Sequence, residues 1–491
     1  MNVRSDDALS SRSAPVNDPA LERYVDPISQ RYASRSMQEL FSPLARARVW
    51  RDLWIALAEA EHELGLPVTA EQIEELRANR DQIDLSRVAV FEKELRHDVM
   101  AHIHAYGEVA PSARGIIHLG ATSCYVTDNA DLIVMRRGLE MISDRLLRTI
   151  HAFSKFARTH ASVPTLGLTH LQPAQLTTVG KRAALWLQDL VDVWQELVDI
   201  RTRLPFRGVK GTTGTQASFL HLFNDDETKV AALEALVAQK VGFDRVFPLT
   251  GQTYPRVWDQ RVVGRLGELG TVVHKIATDL RLLQSFGEVE EPYEKSQVGS
   301  SAMPYKRNPM RSERLCSLAR HLMAIVPGLA TLAATQWMER TLDDSAHRRV
   351  AIPQAFLTAD AILITLENVA SGLHVVPRVV ERRIAEQLPF MAAEEILMGG
   401  VSDGGDRQEL HERIRQLSWR AKQQLVEEGG ANPLRGFLEE DEVLGPIVKR
   451  LPPWDPARFV GLAPQQTLKY LDTVVAALPL SGEEPPAELE V

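Results

Sequence analysis

The stretch Gly299-Ser-Ser-Ala-Met-Pro-Tyr-Lys-Arg-Asn-Pro-Met-Arg-Ser-Glu313 marks the point where an irregular loop hands over to a long helix. Its opening run of small residues, Gly299, Ser300 and Ser301, has no apolar period and is followed by Pro304 and Pro309, which predicts a loop. Asn308 reads as the N-cap and Pro309 as the first helical residue, where a missing N–H costs nothing. Leu315, Leu318, Ala319 and Leu322 then recur at helical spacing. Lys306, Arg307, Arg311 and Arg314 crowd that helix start, where the dipole is already positive. Such crowding opposes helix stability unless an anion binds there, so the stretch reads as a candidate anion site.

Outward from this stretch the chain is helical in pattern. Helices are expected over 45–64, 70–79 and 86–106, the first preceded by a capping-box spacing at Ser36 and Glu39. After the hydroxyl-rich run 118–129, Leu132, Met135, Leu139, Ile142, Leu146, Ile150 and Phe153 recur at three- and four-residue steps, a coiled-coil-like stripe. Comparable Pro-free stretches lie between Pro173 and Pro205, between Pro255 and Phe286, and after Pro309 and Pro353. Long helices with few alternating strand-like runs predict an all-α fold of three helical domains: an N-terminal domain over 1–121, a central long-helix bundle over 122–375 and a C-terminal domain over 376–491. The apolar stripes exceed what one narrow bundle encloses, so self-association is expected through them.

Composition narrows the function. The 491 residues are 44% hydrophobic and 25% charged, which suits a soluble globular chain with ample core, and the polar N-terminal stretch has neither a basic nor an apolar signal region. No apolar run reads as long enough to span a bilayer, and a cytoplasmic location is expected. Cys124 and Cys316 are the only cysteines, so no disulfide framework is expected. No metal-ligand spacing occurs: His97, His102 and His104 do not share a helical face, so no metal or other cofactor is expected. A net charge of −9 argues against nucleic-acid binding, while the locally Arg-rich stretch points to a small polyanion as partner. The Gly208–Gly214 run matches neither a P-loop nor a dinucleotide fingerprint and reads as a tight turn.

The string GSSAMPYKRNP resembles the signature loop of the aspartase/fumarase/argininosuccinate lyase superfamily, THLQPAQ resembles its histidine loop, and GATSCYVTDN its threonine-serine loop. The resemblance runs from about Arg31 to about Arg415. The Tyr-Lys-Arg form of the signature, with RHDVMAH, GQTYPR and ERTLDDSAHRR, is most similar to the branch that acts on succinylated purine nucleotides. What this resemblance implies is β-elimination of fumarate from such a nucleotide and from the succinyl-carboxamide ribotide of the purine pathway. It makes Ser300 the general base, with Ser301 its rival by sequence alone, and His170 the general acid. Lys306 supplies positive charge beside the base, and Glu313 corresponds to the carboxylate that pairs with the acid histidine and fixes its tautomer.

The same resemblance assigns Arg31, Tyr32, Arg340, Ser345 and Arg349 to the nucleotide phosphate and ribose. It assigns Arg96, His97, Asp98, Thr122, Ser123, Gln252, Lys306, Asn308 and Arg314 to the succinyl group and base. Where the family commonly reads DSANRR this chain has His347, which touches no assigned contact. It further implies a homotetramer with each active site drawn from several subunits, a lid role for the Gly299–Lys306 loop, and no membrane association. Two rivals stay open: another fumarate-releasing lyase of the superfamily, and a catalytically silent helical scaffold.

Overall fold

The structure, a computed structural model, describes residues 22–294 and 297–480; the polar N-terminal stretch and the Glu/Pro-rich tail read from the sequence lie outside them. The chain begins with α1 (Pro27–Arg31), α2 (Arg35–Leu40), α3 (Pro43–Glu63) and α4 (Ala70–Ala78). Caps were partly misread from sequence. Ser34, not Ser36, accepts the Met37 N–H and starts α2, because Ser36 already lies within the helical turn. Ser42 caps α3 through the Ala45 N–H, so the helix begins at Pro43, two residues before the predicted start.

The expected helix over 86–106 is two helices, α5 (Leu85–Leu95) and α6 (Asp98–Val109). Arg96 turns into the left-handed region with φ 54°, and His97 caps the second helix by accepting the Met100 N–H at 3.3 Å. No Gly or Pro announces this break, which is why sequence pattern passes over it.

The bundle is built from α7 (Ser123–Thr159), α8 (Val179–Arg203), α11 (Val257–Ser285), α12 (Met310–Ala334) and α13 (Asp344–Gly372), with the short α9 (Ala217–Leu222) and α10 (Glu227–Lys240) between α8 and α11. α7 packs on α8 and α13, and α11 on α12 and α13. The predicted stripe of α7 is the core: Leu132, Met135, Leu139, Ile142, Leu146, Ile150 and Phe153 are all fully buried. Pro353 lies inside α13 rather than ahead of it.

Between α7 and α8 the chain makes an antiparallel hairpin, β1 (Pro164–Thr169) and β2 (Gln172–Thr178), which the helical reading did not foresee. A second pair, β3 (Val289–Glu290) and β4 (His374–Val375), ties the segment before α12 to the end of α13. The fold remains all-α. Beyond it, α14 (Pro377–Ser402), α15 (Arg407–Glu427), α16 (Leu434–Glu440) and α17 (Leu444–Arg450) close around a separate small core of Ile396, Leu410, Ile414, Leu434, Leu438 and Leu444, while α18 (Ala463–Thr473) returns to α7 and α8.

Contrary to the sequence reading, two helices, α12 and α13, are long and apolar enough to span a bilayer by length and composition. In α13 that stretch is 83% buried by neighbouring helices, whereas in α12 it is 39% buried, the exposed positions being polar or small, such as Ser317, Arg320, His321 and Thr331.

Candidate active site

A cleft of about 870 Å³ opens where four connectors meet: the α5/α6 break, the start of α7, the segment 252–256 and the segment 340–346 that leads into α13. The break that sequence pattern missed is what presents Arg96, His97 and Asp98 to it. His97 Nδ1 accepts a backbone N–H, so the neutral ring carries its proton on Nε2, which lies 3.5 Å from Ser123 Oγ. Asp98 accepts from Arg349 Nη2 at 2.9 Å, joining α6 to α13 across the cleft. Thr122 stands at the N-cap position of α7 but makes no capping bond with its side chain. Leu40, Phe41, Pro43, Trp50, Ile352 and Pro353 form an apolar wall.

The floor is a saturated ionic lattice. Arg256 is bidentate to Asp128 at 3.0 and 3.2 Å and also donates to Asp344 at 2.7 Å. Arg348 donates to Asp259 at 2.7 Å and pairs with Asp131 at 2.9 Å, while Tyr254 donates to Asp259. Burial alone would raise the Asp128 carboxyl, yet Arg256 and Arg348 hold it below its ordinary value. These two arginines are therefore scaffold. Three other guanidiniums lining the cleft, those of Arg46, Arg96 and Arg340, have no carboxylate within salt-bridge distance among the described residues. Unpaired, mutually repelling cations around one cavity favour an anionic occupant.

The stretch from Gly299 to Glu313 departs from its sequence reading. α12 begins at Met310 with Pro309 in the cap position, and Asn308 instead donates from Nδ2 to the Gly299 carbonyl at 2.9 Å, closing the loop on itself. The helix start is capped by Glu291, whose carboxylate accepts the N–H groups of Arg311 and Ser312 at 2.8 and 3.0 Å and the Ser312 hydroxyl at 3.0 Å. Arg307 and Arg311 are paired with Glu290 and Glu294. The helix terminus is thus satisfied by the chain's own carboxylate and is not a vacant anion site, because a glutamate distant in sequence fills the place the local pattern left open. Burial pushes the Glu291 carboxyl up despite these donors. Within the loop, Ser300 Oγ accepts the N–H of Met303 at 3.1 Å and of Ala302 at 3.4 Å. Lys306 and Glu313 are exposed.

His170 is the first residue of a two-residue hairpin turn, with φ 54° at His170 and 57° at Leu171, the mirror-image turn that matches strand twist. It is exposed at the tip, and Pro173 lies within β2. The base of the hairpin is held by Arg182 Nη2, which donates to the Leu166 carbonyl at 2.6 Å. Arg31 and Arg314 both lie over the Tyr32 ring, at 5.9 and 5.4 Å, so these three form one group beside the start of α12.

The sequence-assigned residues therefore fall into three groups on one chain. Arg96, His97, Asp98, Ser123, Gln252, Arg340, Ser345 and Arg349 line the cleft, with Thr122 adjacent. Ser300, Lys306, Asn308, Glu313, Arg314, Arg31 and Tyr32 lie on or beside the α12 start, and His170 is on the hairpin; none of these lines the cleft. Sequence reasoning missed Arg46, Cys124 and Asp128 as lining residues, since nothing in their local pattern distinguishes them from helix-surface or core positions. The histidine at 102, read as ordinary, stacks edge-on to Trp50 and is pushed down to about 4 by burial, so it is neutral near pH 7.

The model of the lyase family matches residues 22–324, and the chain belongs to that family. Within it the chain falls among the adenylosuccinate lyases. It is 52% identical to the adenylosuccinate lyase of Saccharomyces cerevisiae over 457 residues, 92% of this chain and 95% of that one. It is 48% identical to that of Schistosoma mansoni over the same coverage. Among solved structures, a 3-carboxy-cis,cis-muconate lactonizing enzyme from Pseudomonas putida matches with a TM-score of 0.78 at 24% identity, covering 91% of this chain and 98% of that one. A fumarate lyase from Mesorhizobium sp. BNC1 matches with a TM-score of 0.77 at 23% identity, covering 90% and 99%.

Proposed function

We propose that the chain cleaves adenylosuccinate to AMP and fumarate, and the related succinyl-carboxamide ribotide to its amino-carboxamide product and fumarate. The observation that carries this reading is the set of unpaired guanidiniums, Arg46, Arg96 and Arg340, around one cleft in a chain of net charge −9. Such a substrate brings two carboxylates and a phosphate to that cleft. Arg340, Ser345 and Arg349 at one end take the phosphate; Arg96, His97, Thr122, Ser123 and Gln252 take the succinyl group and base.

Ser300 removes the proton β to the breaking C–N bond. The electron pair left on carbon forms the double bond of fumarate, and the departing amine nitrogen takes its proton from His170. Serine needs activation to act as a base. Support for Ser300 over Ser301 comes from the two backbone N–H groups aimed at its Oγ, which favour the alkoxide form that Ser300 must hold before it takes the proton. Lys306 adds positive charge, Asn308 holds the loop closed through Gly299, and Glu313 orients His170.

Because His170 and Ser300 lie outside their own chain's cleft, a complete site takes the hairpin tip and the α12 loop from other copies. A homotetramer supplies them. The enzyme acts in the cytoplasm without a cofactor, on small-molecule nucleotides, with no nucleic acid or membrane as partner. The test is ultraviolet absorbance during incubation with adenylosuccinate, with AMP and fumarate identified chromatographically and argininosuccinate in parallel. Release of both products from adenylosuccinate alone is expected. Turnover of argininosuccinate alone would overturn the phosphate assignment, and silence on both in a folded oligomer would leave a scaffold.

A further inference from the structure

The thiol of Cys124 has no role in the reaction as described, yet it sits between two of the side chains that reading assigns to substrate. Cys124 is the second residue of α7 and its side chain is 1% exposed. Its Sγ lies 3.3 Å from Arg340 Nη1 and 3.6 Å from Gln252 Oε1. The guanidinium donates to a sulfur lone pair, and the S–H donates to the amide oxygen. Burial pushes the thiol up to about 11, so the proton that this second bond needs is present at neutral pH.

The remaining contacts show how much hangs on this junction. Gln252 Nε2 donates to the Thr212 carbonyl at 3.0 Å, which orients the amide with its oxygen toward the thiol. The Gln252 N–H donates to the Glu339 carbonyl at 3.0 Å, so the backbones carrying Gln252 and Arg340 are already joined. Only their side chains remain to be set, and the thiol contacts both. Arg340 has no carboxylate to hold it, in contrast to Arg256 and Arg348 on the cleft floor.

We propose that Cys124 is a positioning residue: it fixes the Arg340 guanidinium and the Gln252 amide relative to each other so that both meet the substrate together. This rests on the proposed lyase function. Loss of the thiol frees a long, flexible guanidinium, which weakens ground-state and transition-state binding alike, so the loss appears in KM rather than kcat.

Steady-state kinetics on adenylosuccinate would be measured for the wild type, Cys124→Ala, Cys124→Ser, Arg340→Ala and the Cys124→Ala/Arg340→Ala double variant, with thermal unfolding of each. Cys124→Ala is expected to raise KM about tenfold with kcat within about twofold, as for loss of a hydrogen bond to a charged group. Cys124→Ser, which keeps a donor and an acceptor, is expected to recover most of that loss. In the Arg340→Ala background, removal of the thiol is expected to change kcat/KM several-fold less than it does in the wild type, because only the contact to Gln252 is then left to lose. An unchanged KM in Cys124→Ala, or the same loss in both backgrounds, would overturn the proposal and leave Cys124 a packing residue. A wild type that does not turn over adenylosuccinate at all would overturn the lyase function instead, and this inference with it.

Discussion

Glu61 on α3 offers a direct test of how burial shapes this core. Its side chain is fully buried, and neither carboxyl oxygen has a hydrogen-bond partner among the described residues. Burial pushes its pKa from 4.5 up to about 9, because a bare carboxylate has no compensating donor there. The folded chain therefore keeps the proton across a range where the unfolded chain has released it. Below about 4.5 both states are protonated and the contribution is fully present; it is lost as pH rises toward about 9. A shifted group of this kind makes stability fall by about 1.4 kcal/mol per pH unit, so from pH 6 to pH 8 the wild type loses about 3 kcal/mol from this group alone. Glu61→Gln keeps the shape and polarity without titrating. Urea unfolding followed by tryptophan fluorescence, at one protein concentration and ionic strength, should show the variant gaining about 3 kcal/mol on the wild type between those two pH values. A stability difference that does not change with pH would refute the reasoning.

Glu291→Ala removes the cap of α12 and leaves two backbone N–H groups and the Ser312 hydroxyl unpaired, which should cost about 3 kcal/mol and lower the urea midpoint; an unshifted midpoint would show the helix start satisfied another way. Gly180→Ala places a methyl 2.4 Å from the Ala157 carbonyl oxygen and 2.6 Å from Ala161 Cα, both backbone, so α7 and α8 must part at a cost of more than about 2 kcal/mol by the same assay. His170→Ala should lower kcat by about 10²–10⁴-fold, with an unchanged sedimentation coefficient, since the exposed hairpin tip carries no core contact. A normal rate in that variant would remove His170 from the acid role.

The helical periods were readable because a stripe such as Leu132 to Phe153 is a local property: every third or fourth residue must leave water for the same reason. Caps were less readable, since several hydroxyl and amide residues compete within a few positions, and packing chose Ser34 over Ser36. The hairpin that carries His170 is not marked in the sequence because its turn uses His170 and Leu171, both at positive φ, rather than Asn-Gly. Of the candidate site, the residue types and the sign of the ligand charge were legible. Which arginines remain unpaired was not.

By itself, then, the sequence determined the helical class, the family and the chemical character of the substrate, because periodicity and a long contiguous signature are written in neighbouring residues. Tertiary structure alone decided that Glu291 rather than a ligand caps α12, and that Arg256 and Arg348 are consumed by Asp128, Asp344, Asp131 and Asp259 while Arg46, Arg96 and Arg340 line the cleft with no carboxylate partner among the described residues. It also decided that the cleft, the serine loop and the histidine hairpin stand apart on one chain. The physical reason is common to all three: a charge or a donor is satisfied by whichever group folding brings within about 3 Å, and that partner can lie anywhere in the sequence.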